Sequence, residues 1–441
     1  MAVGRENGAQ EDHSQLNGED NRIRYVPLPY DSTNSEESAL RLVLSIQPGW
    51  KEPGSKVEFV RFTDGITNTL LKAVNKRPGL SKDEVDKEAI LLRAYGQGTD
   101  LIIDRHRETQ NHELLMRHGL APELLARFEN GMMYRFVQGT VTQPEDLRKA
   151  AIYKAVARRL AEWHATVPCI AGRTGHSRKG SRVDGLTLST LDGHLGDAEF
   201  QLAIDGVAPG KPPPNVWTVI QKWIYALPTN TDAQRARQAS LQQELKTLIS
   251  ELSQRPGLGA NGLVFAHCDL LSGNVIVLPN SQAANGDKSP EPIVTFIDYE
   301  YATPSPAAFD LANHFGEWGG FDCDHGVLPT RAQRREFVAE YVGSYFAFLN
   351  KKSPGAVAAV DNEAEVDKLL DEVDHFRGLP GFYWGIWALI QAEISEIDFD
   401  YASYAETRLG EYYAWRAEVT GERQKAGKEM PLRERRWAQE E

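Results

Sequence analysis

Residues 263–277 read LVFAHCDLLSGNVIV, so that two short apolar runs enclose a polar loop. Short runs rich in Val and Ile are typical of buried strands, and the Ser-Gly-Asn cluster between them favours a tight connection. A third apolar run, VTFID at 294–298, ends in an acidic residue. These segments predict short strands whose connecting loops carry Asp269, Asn274 and Asp298.

The polar residues of this loop have the spacing H-x-D-x-x-x-x-N, with His267, Asp269 and Asn274 at the fixed positions. This spacing, followed by an Asp at the end of a later strand, is used in phosphoryl transfer. A carboxylate beside an acceptor hydroxyl can orient it and take its proton, while amide and carboxylate oxygens are hard ligands for Mg²⁺. We therefore predict Asp269 as the catalytic base, and Asn274 and Asp298 as ligands of Mg²⁺ on nucleotide phosphates.

The motif alone has a second interpretation, because it fixes few positions and recurs by chance. In that interpretation the segment is a polar turn, and His267 is a satisfied core residue. The placement of the loop between two apolar runs, with Asp298 after a third, favours phosphoryl transfer because several coincidences would otherwise be required.

The rest of the chain divides into a strand-rich part and a helical part. From about 56 to 140, short apolar runs surround one predicted helix, RHRETQNHELLMRHG at 105–119. Asn130-Gly131, between the last two of these runs, indicates a type I′ hairpin turn. Pro144 begins a helical pattern with apolar residues three and four apart, and the pattern is helical again from about 331.

These patterns predict an α+β protein with a lobe at 22–140 and a larger, mainly helical lobe at 141–425. Four polar segments are expected to lie outside the two cores. They are a disordered tail at 1–21, surface insertions at 171–214 and 279–292, and a polar tail at 426–441.

Composition limits the classes of partner. The chain has 62 Asp and Glu against 49 Lys and Arg, a net charge of -13, so we expect no binding to nucleic acid. No apolar run approaches the roughly 18 residues of a membrane span, so stable membrane insertion is not expected. The first 21 residues lack the features of a secretory or mitochondrial leader, and the 3 cysteines are scattered, which predicts a cytoplasmic protein with reduced thiols.

Longer strings resemble the choline/ethanolamine kinase family, in the order of that family and over about 50–415. They are TDGITNTL (63–70), LLRAYG (91–96), AHCDLLSGN (266–274), IDYEYATPSPAAFDLANHFGEWGGF (297–321) and YWGIWALIQAEIS (383–395). The resemblance implies the two-lobed protein-kinase-like fold shared with aminoglycoside phosphotransferases, with a small β-rich N-terminal lobe and a larger, mainly helical C-terminal lobe. It also implies transfer of the γ-phosphate of ATP to the hydroxyl of choline or ethanolamine, with Mg²⁺.

The same resemblance implies which residues cover the phosphates. The loop that includes Gly65, Thr67 and Asn68 takes the place of the phosphate-covering loop, although one glycine is equally typical of an ordinary β-turn. Arg93 takes the place of the lysine of protein kinases, and Glu108 would orient it through an ion pair. Solvated surface charges are the alternative interpretation of Arg93 and Glu108.

Phe136 and Val137 fall where the family joins its lobes and binds adenine through backbone groups. Such recognition leaves no side-chain pattern, so this assignment rests on the resemblance alone.

The acceptor pocket is expected to be aromatic and acidic. Trp384 and Trp387 are three residues apart on a predicted helix and so share a face, and Tyr404 follows. Aromatic faces attract alkylated ammonium groups. The resemblance implies that these rings and the Glu317 carboxylate bind the ammonium head group, whereas the alternative is that both tryptophans are ordinary core residues.

Two further residues of the same region, Asp310 and His314, are expected to support the catalytic loop rather than to bind a ligand. A homodimer is compatible with the sequence.

The choice of acceptor depends on hydrogen bonding. A primary ammonium donates three hydrogen bonds, whereas a trimethylammonium donates none and needs more rings. After Glu317-Trp318 the chain reads Gly319-Gly320-Phe321-Asp322, where choline kinases tend to carry a tyrosine-rich segment. We therefore predict ethanolamine as the acceptor.

The product would be phosphoethanolamine, which the resemblance places at the first step of CDP-ethanolamine-dependent phosphatidylethanolamine synthesis. Choline kinase or dual activity, another small-molecule phosphotransferase, and a silent nucleotide-binding scaffold stay open as alternatives.

Overall fold

The computed structural model describes residues 23–62, 68–96, 98–169, 197–279, 291–352, 354, 361–395 and 397–441. The chain forms two compact units. The first contains the described residues up to Ala94 together with Glu123–Phe136, and the second contains Tyr95–Pro122 and Val137–Glu441. The segment predicted as one lobe at 22–140 is therefore interrupted, because its central helix belongs to the second unit.

The first unit is built on a six-stranded sheet with strand order β1-β5-β6-β4-β3-β2. Its strands are β1 (Tyr25–Val26), β2 (Lys56–Phe62), β3 (Asn68–Lys76), β4 (Ile90–Tyr95), β5 (Leu124–Phe128) and β6 (Gly131–Arg135), and its helices are α1 (Ser35–Ile46) and α2 (Lys82–Glu88). Strand β1 pairs in parallel with β5, while β2–β3, β4–β6 and β5–β6 are antiparallel pairs. Apolar residues of α1, such as Leu42 and Val43, pack with Leu92 and Met133 in one buried core.

The connection between β5 and β6 corrects the predicted turn type. Asn130 and Gly131 both have negative φ, so they do not form a type I′ turn. The Asn130 side chain instead accepts a hydrogen bond from the Tyr30 amide at 2.8 Å and donates one to the Tyr30 carbonyl at 2.9 Å. A Cβ on Gly131 would lie 2.1 Å from the Arg93 carbonyl oxygen and 2.3 Å from Cζ of Phe128. These tertiary contacts, rather than a turn conformation, therefore explain why Asn130 and Gly131 occupy these positions.

The second unit combines two small sheets with thirteen α-helices among its described residues. Strands β7 (Thr140–Val141), β9 (Val275–Val277) and β10 (Val294–Phe296) form one sheet, and β8 (Val264–Ala266) pairs antiparallel with β11 (Thr303–Ser305) in the other. The helices are α3 (Arg105–Arg117), α4 (Pro144–Leu147), α5 (Ala150–Thr166), α6 (Asp197–Asp205), α7 (Val216–Ala226), α8 (Asp232–Leu252), α9 (Ala307–Gly316), α10 (Arg331–Lys352), α11 (Asn362–Phe376), α12 (Leu379–Ile394), α13 (Tyr401–Val419), α14 (Glu422–Lys425) and α15 (Leu432–Ala438). The predicted α+β class, with a small strand-rich region before a mainly helical remainder, is confirmed.

Two glycines let α12 and α13 approach closely. A Cβ on Gly381 would lie 2.6 Å from the Arg408 carbonyl oxygen, and one on Gly385 would lie 2.7 Å from Cγ of Leu409. Because both glycines lie on α12 and both contacts on α13, the predicted acceptor residues of these two helices are held on neighbouring surfaces.

The predicted polar tail at 426–441 is wrong, because this segment contains α15 and a buried tryptophan. Trp437 is 4% exposed and donates a hydrogen bond to Asp374 Oδ1 at 2.7 Å. The Arg334 guanidinium lies 4.0 Å from the centre of its indole ring. One buried aromatic ring therefore fixes a segment whose average composition is polar.

The predicted insertion at 171–214 is helical in part. Its first portion, 171–196, lies outside the described residues, but α6 follows, and Ile204 and Ala208 are buried. Of the second insertion, 280–290 lie outside the described residues. None of the described helices has the length and apolar character needed to cross a membrane.

Candidate active site

The loop between β8 and β9 is anchored by one buried carboxylate on α9. Asp310 Oδ2 accepts a hydrogen bond from the His267 amide at 2.9 Å, and Oδ1 accepts one from the Cys268 amide at 2.8 Å. His164 Nε2 lies 3.0 Å from the same Oδ2. Burial opposes ionisation, but the hydrogen bond and charge of His164 outweigh it and lower the pKa of Asp310. The predicted supporting role of Asp310 is confirmed.

The motif histidine links the loop to the segment that carries Asp298. Burial lowers the pKa of His267 to about 4, so the ring is neutral near pH 7. Its Nε2 donates to the Ile297 carbonyl at 3.0 Å, and its Nδ1 accepts from the Asp269 amide at 3.3 Å. The ring therefore orients the backbone next to Asp269 and Asp298, and it is a fully satisfied core residue as well.

Helix α9 supplies two more supports. His314 Nδ1 donates to the Leu270 carbonyl at 2.8 Å, and Asn313 Nδ2 donates to the Cys268 carbonyl at 3.0 Å. Burial lowers the pKa of His314 to about 4. The predicted supporting role of His314 is confirmed, whereas Asn313 was not selected from the sequence.

Two residues of the site have left-handed backbone conformations. Cys268 and Asp298 both have a φ of 64°. Asp is among the residues that tolerate this region, whereas Cys is not. At Cys268 the hydrogen bonds to both its amide and its carbonyl hold the strained conformation.

Asp269 lies in an acidic environment. It is 8% exposed, and Asn274 Nδ2 donates to its carbonyl at 2.7 Å and to its Oδ2 at 3.1 Å. Burial raises the pKa of Asp269 well above its usual value, and the charges of Asp298, Glu317 and Glu300 raise it further. A cation bound among these carboxylates would favour the ionised form of Asp269.

The donor set fits Mg²⁺ held jointly by the protein and phosphates. Because Asn274 Nδ2 makes both bonds to Asp269, its Oδ1 is the atom that can serve as a ligand. Asp298 supplies a carboxylate, and Mg²⁺ is usually held by one or two protein oxygens together with phosphates and water. The described residues contain no cluster of three or more His, Cys, Asp or Glu that could hold a metal unaided.

The two predicted acceptor tryptophans meet a third ring. Trp384 and Trp387 pack edge to face with ring centres 5.4 Å apart, and the Tyr301 ring lies 5.5 Å from Trp384. Trp387 Nε1 donates to the Tyr301 hydroxyl at 2.8 Å, and Trp384 Nε1 donates to Asn313 Oδ1 at 2.8 Å. Hydrogen bonds thus fix both indoles. Tyr301 was not selected from the sequence, although its position three residues after Asp298 could have indicated that it lies near the site.

Glu317 is paired with a buried arginine. The Arg408 Nη2 atom lies 3.6 Å from Glu317 Oε1, and its Nε lies 3.4 Å from Glu411 Oε2. The Tyr404 ring centre is 5.8 Å from the same guanidinium. Burial raises the pKa of Glu317 although Arg408 opposes the shift. Arg408 was not selected from the sequence, because only the packing of α13 places it beside Glu317.

A second arginine joins α3 to the segment after Asp298. Arg105 Nη1 donates to Glu108 Oε2 and to Glu300 Oε2, each at 3.0 Å. Arg105 also donates to the Thr99 hydroxyl. Glu108 was expected to pair with Arg93, which is buried on β4 in the other unit, and that pair stays a prediction.

Of the predicted nucleotide residues, Gly65 and Thr67 lie outside the described residues, and Asn68 begins β3. The Phe136 ring stacks with Phe62 at 6.3 Å, and the Lys72 ammonium lies 3.9 Å from its centre.

The Phe136 amide donates to the Ala89 carbonyl at 3.0 Å, so it is engaged within the first unit. Val137 is half-buried in the second unit. The adenine contacts assigned to these two residues stay predictions.

A cavity of about 320 Å³ lies within the second unit, beside Glu300 and Tyr301. Trp223 and Tyr383 contribute aromatic walls and Arg107 a cation. Asp269 does not line it, so this cavity does not coincide with the predicted base.

The sequence is similar to those of known proteins. A family model described as choline/ethanolamine kinase matches residues 59–413. Ethanolamine kinase 1 of Mus musculus is 30% identical over 393 residues, covering 87% of this chain and 90% of the relative. Ethanolamine kinase 2 of Mus musculus is 32% identical over 383 residues, covering 87% and 82%. The ethanolamine kinase of Drosophila melanogaster is 33% identical over 474 aligned positions, covering 90% and 80%.

Solved structures share the fold. An ethanolamine kinase of Plasmodium vivax superposes with a TM-score of 0.59 at 23% identity, covering 86% of this chain and 88% of that one. A choline kinase of Cryptosporidium parvum gives a TM-score of 0.56 at 20% identity, covering 87% and 97%. These matches confirm the predicted fold class.

Proposed function

The chain belongs to the choline/ethanolamine kinase family, and we propose that it transfers the γ-phosphate of ATP to the hydroxyl of ethanolamine. The curated relatives described above are named ethanolamine kinases, phosphotransferases with an alcohol acceptor. The observation that carries the proposal is the setting of Asp269, a buried carboxylate beside Asn274 and in the field of Asp298, Glu300 and Glu317. These carboxylates would attract the two positively charged species of the proposed reaction, the ammonium of the alcohol and the metal bound to the nucleotide.

The chemical step assigned to Asp269 is general-base catalysis. Its carboxylate accepts a hydrogen bond from the acceptor hydroxyl and takes the proton as the oxygen attacks the γ-phosphorus. The new O–P bond forms while the bond between the γ-phosphorus and the bridging oxygen of ADP breaks. Asn274 orients Asp269 Oδ2 through its 3.1 Å hydrogen bond. Mg²⁺ held by Asn274 and Asp298 would neutralise charge on the phosphates.

Ionisation of Asp269 depends on the same cations. Burial and the charges of Asp298, Glu317 and Glu300 raise the pKa of Asp269 and so oppose its ionisation. The ammonium of the acceptor beside Glu317, and the metal beside Asp298, would reverse this effect. Asp269 would therefore become an effective base when both substrates are bound.

We call Tyr301, Glu317, Trp384, Trp387 and Tyr404 the acceptor wall. Ethanolamine is the acceptor favoured by the Glu317 carboxylate of this wall and by the names of the curated relatives. Its ammonium can donate to Glu317, whose partner Arg408 is at a distance of 3.6 Å rather than in a close ion pair. Choline is the second candidate, because the rings of Tyr301, Trp384 and Trp387 meet at one place and such rings attract a trimethylammonium.

The test is steady-state phosphorylation of ethanolamine and of choline by the purified protein with ATP and Mg²⁺. We expect a higher kcat/KM for ethanolamine. We also expect Asp269→Asn to lower kcat about 100- to 10,000-fold for both acceptors. The matched control is Asp232→Asn, which removes a fully exposed carboxylate at the start of α8 and is expected to change nothing. Higher kcat/KM for choline would overturn the acceptor, and retained activity of Asp269→Asn would overturn the base.

A further inference from the structure

A buried arginine on α13 lies between two buried carboxylates. The Arg408 Nη2 atom is 3.6 Å from Glu317 Oε1, and its Nε atom is 3.4 Å from Glu411 Oε2. In the described part of the chain Nε has no hydrogen-bond partner, and Nη1 donates to Cys323 Sγ, a weak acceptor, at 3.8 Å. Because neither carboxylate receives a close, forked hydrogen bond, charge rather than hydrogen-bond geometry decides how Arg408 is shared between them.

Glu411 has a second partner in a histidine. His325 begins the short turn His325–Val327, which follows the segment that carries Glu317. Its Nε2 lies 2.7 Å from Glu411 Oε1, so the two oxygens of Glu411 face different partners. Burial opposes ionisation, but the charge of Arg408 and the hydrogen bond of His325 outweigh it and lower the pKa of Glu411 to about 2. Glu411 is therefore an anion near pH 7.

The other charged groups around this turn have partners of their own. They are Asp324 within the turn and Arg433, Glu434, Arg435 and Arg436 on α15. Asp324 Oδ1 accepts from the Gly326 amide at 2.9 Å, and Arg433 Nη1 donates to Glu434 Oε1 at 3.0 Å. Arg436 Nε donates to the Leu328 carbonyl at 2.8 Å, and Arg435 lines the same surface depression as Gly326. Glu411 is the charged side chain in direct contact with the His325 ring.

These contacts set up a competition for Glu317. Arg408 and the ammonium of an acceptor are both cations, so a guanidinium that moves toward Glu317 weakens the attraction of that carboxylate for the ammonium. Glu411 draws Arg408 in the opposite direction. Histidine is the side chain whose ordinary change of charge falls between pH 5 and 8. A proton on His325 would neutralise part of the charge of Glu411 and weaken its attraction for Arg408.

We propose that Glu411 is a positioning residue that holds Arg408 away from Glu317, and that a proton on His325 weakens this hold. The inference rests on the proposed function, because Glu317 binds the ammonium of the acceptor in that reaction. Glu411 and His325 act through Arg408 and do not touch the acceptor. Affinity for the acceptor therefore falls as the pH is lowered through the titration of His325, while a primary ammonium keeps its charge.

The first experiment measures KM and kcat for ethanolamine with the full chain at pH 8. Glu411→Gln releases Arg408 to Glu317, so KM should rise about tenfold while kcat changes less than about twofold. Glu411→Asp keeps the charge and should keep KM within about threefold of the wild type. The matched control is Glu406→Gln, which removes an exposed carboxylate of the same helix and should change neither constant. An unchanged KM in folded Glu411→Gln would overturn the proposal.

The second experiment compares the pH dependence of KM in the wild type and His325→Gln. The glutamine amide keeps a donor toward Glu411 but takes up no proton. From pH 8 to pH 6 the wild-type KM should rise about threefold more than that of the variant. His375→Gln, at an exposed position on α11, is the matched control and should keep the wild-type profile. A purely structural role of His325 would change stability and leave the profile as in the wild type, and that result would overturn the proposal.

A binding measurement separates this proposal from the proposed function. Calorimetric titration with ethanolamine at pH 6 and pH 8 requires no turnover. Weaker binding at pH 6 by the wild type but not by His325→Gln supports the positioning role even if phosphorylation fails, and that failure counts against the proposed function alone. The same change of affinity with pH in both proteins would overturn the positioning role. Absence of ethanolamine binding by the wild type would overturn both proposals, since both need Glu317 to accept the ammonium.

Discussion

The catalytic loop and the acceptor wall belong to the same unit but are held in different ways. The loop from His267 to Asn274 is fixed by buried hydrogen bonds between its backbone and the side chains of Asp310, Asn313 and His314. The side chains of the wall come mainly from α12, α13 and the turn after α9. The exposed rings of Phe321 and Phe399 contact its Tyr404 ring. We therefore expect the loop to set the rate for every acceptor, and the wall to select among acceptors.

Loss of the loop anchor should have the largest effect. Asp310→Ala leaves two backbone amides and His164 without their buried acceptor, so we expect a free energy of unfolding lower by about 3–5 kcal/mol. Turnover of both acceptors should fall together. Urea denaturation followed by circular dichroism measures the first effect and steady-state kinetics the second. A variant of normal stability with altered acceptor preference would contradict the division between loop and wall.

The buried histidines of the loop predict how stability depends on pH. His267 and His314 have pKa values lowered from 6.5 to about 4 by burial, so between these values the unfolded chain binds more protons than the folded protein. Stability is fully present above about pH 6.5 and is lost as the pH falls toward 4, by about 1.4 kcal/mol per pH unit for each histidine.

Denaturant titrations at several pH values measure this slope. The matched variant is His314→Gln, which should reduce the slope in this window by about one proton. An unchanged slope would mean that His314 is charged in the folded protein.

Arg105 lies outside both regions and tests whether the loop needs support from α3. Arg105→Gln leaves Glu108 and Glu300 buried without their shared cation, so we expect about 3 kcal/mol lower stability. Because Glu300 follows Asp298 by two residues, a higher Mg²⁺ concentration for half-maximal rate is also expected. Arg105→Lys should restore part of both properties. Reduced stability with unchanged Mg²⁺ dependence would show that Arg105 is structural only.

A change confined to the wall should have the smallest effect. Tyr301→Phe removes the acceptor of the Trp387 hydrogen bond, which is worth about 1 kcal/mol. We expect the KM of the acceptor to rise about fivefold and kcat to change less than twofold. The reverse pattern, with kcat lowered and KM unchanged, would place Tyr301 in the chemical step.

The sequence predicted the loop better than the wall, for a physical reason. The predicted catalytic residues Asp269, Asn274 and Asp298 lie in two strings, and the local spacing of polar residues between apolar runs is visible without tertiary structure. Arg408 reaches Glu317 only through the packing of α13, which no local pattern encodes. The Asn130-Gly131 turn shows the same limit, because the contacts that explain this pair come from Tyr30, Arg93 and Phe128.

Two predictions of organisation were wrong for a related reason. The polar composition of 426–441 suggested a tail, but Trp437 is buried and holds α15 in place through its hydrogen bond to Asp374. Because residues 22–140 are continuous in sequence, they were predicted to form one lobe, but α3 belongs to the second unit.

The most direct test of the central claim is the rate of phosphoethanolamine formation by the wild type and by Asp269→Asn, followed by ³¹P NMR with ATP and Mg²⁺. The account predicts product with the wild type, and at least about 100-fold slower formation by the variant at an ethanolamine KM within about twofold of the wild type. Turnover by Asp269→Asn within about threefold of the wild-type rate would contradict the assignment of Asp269 as the base.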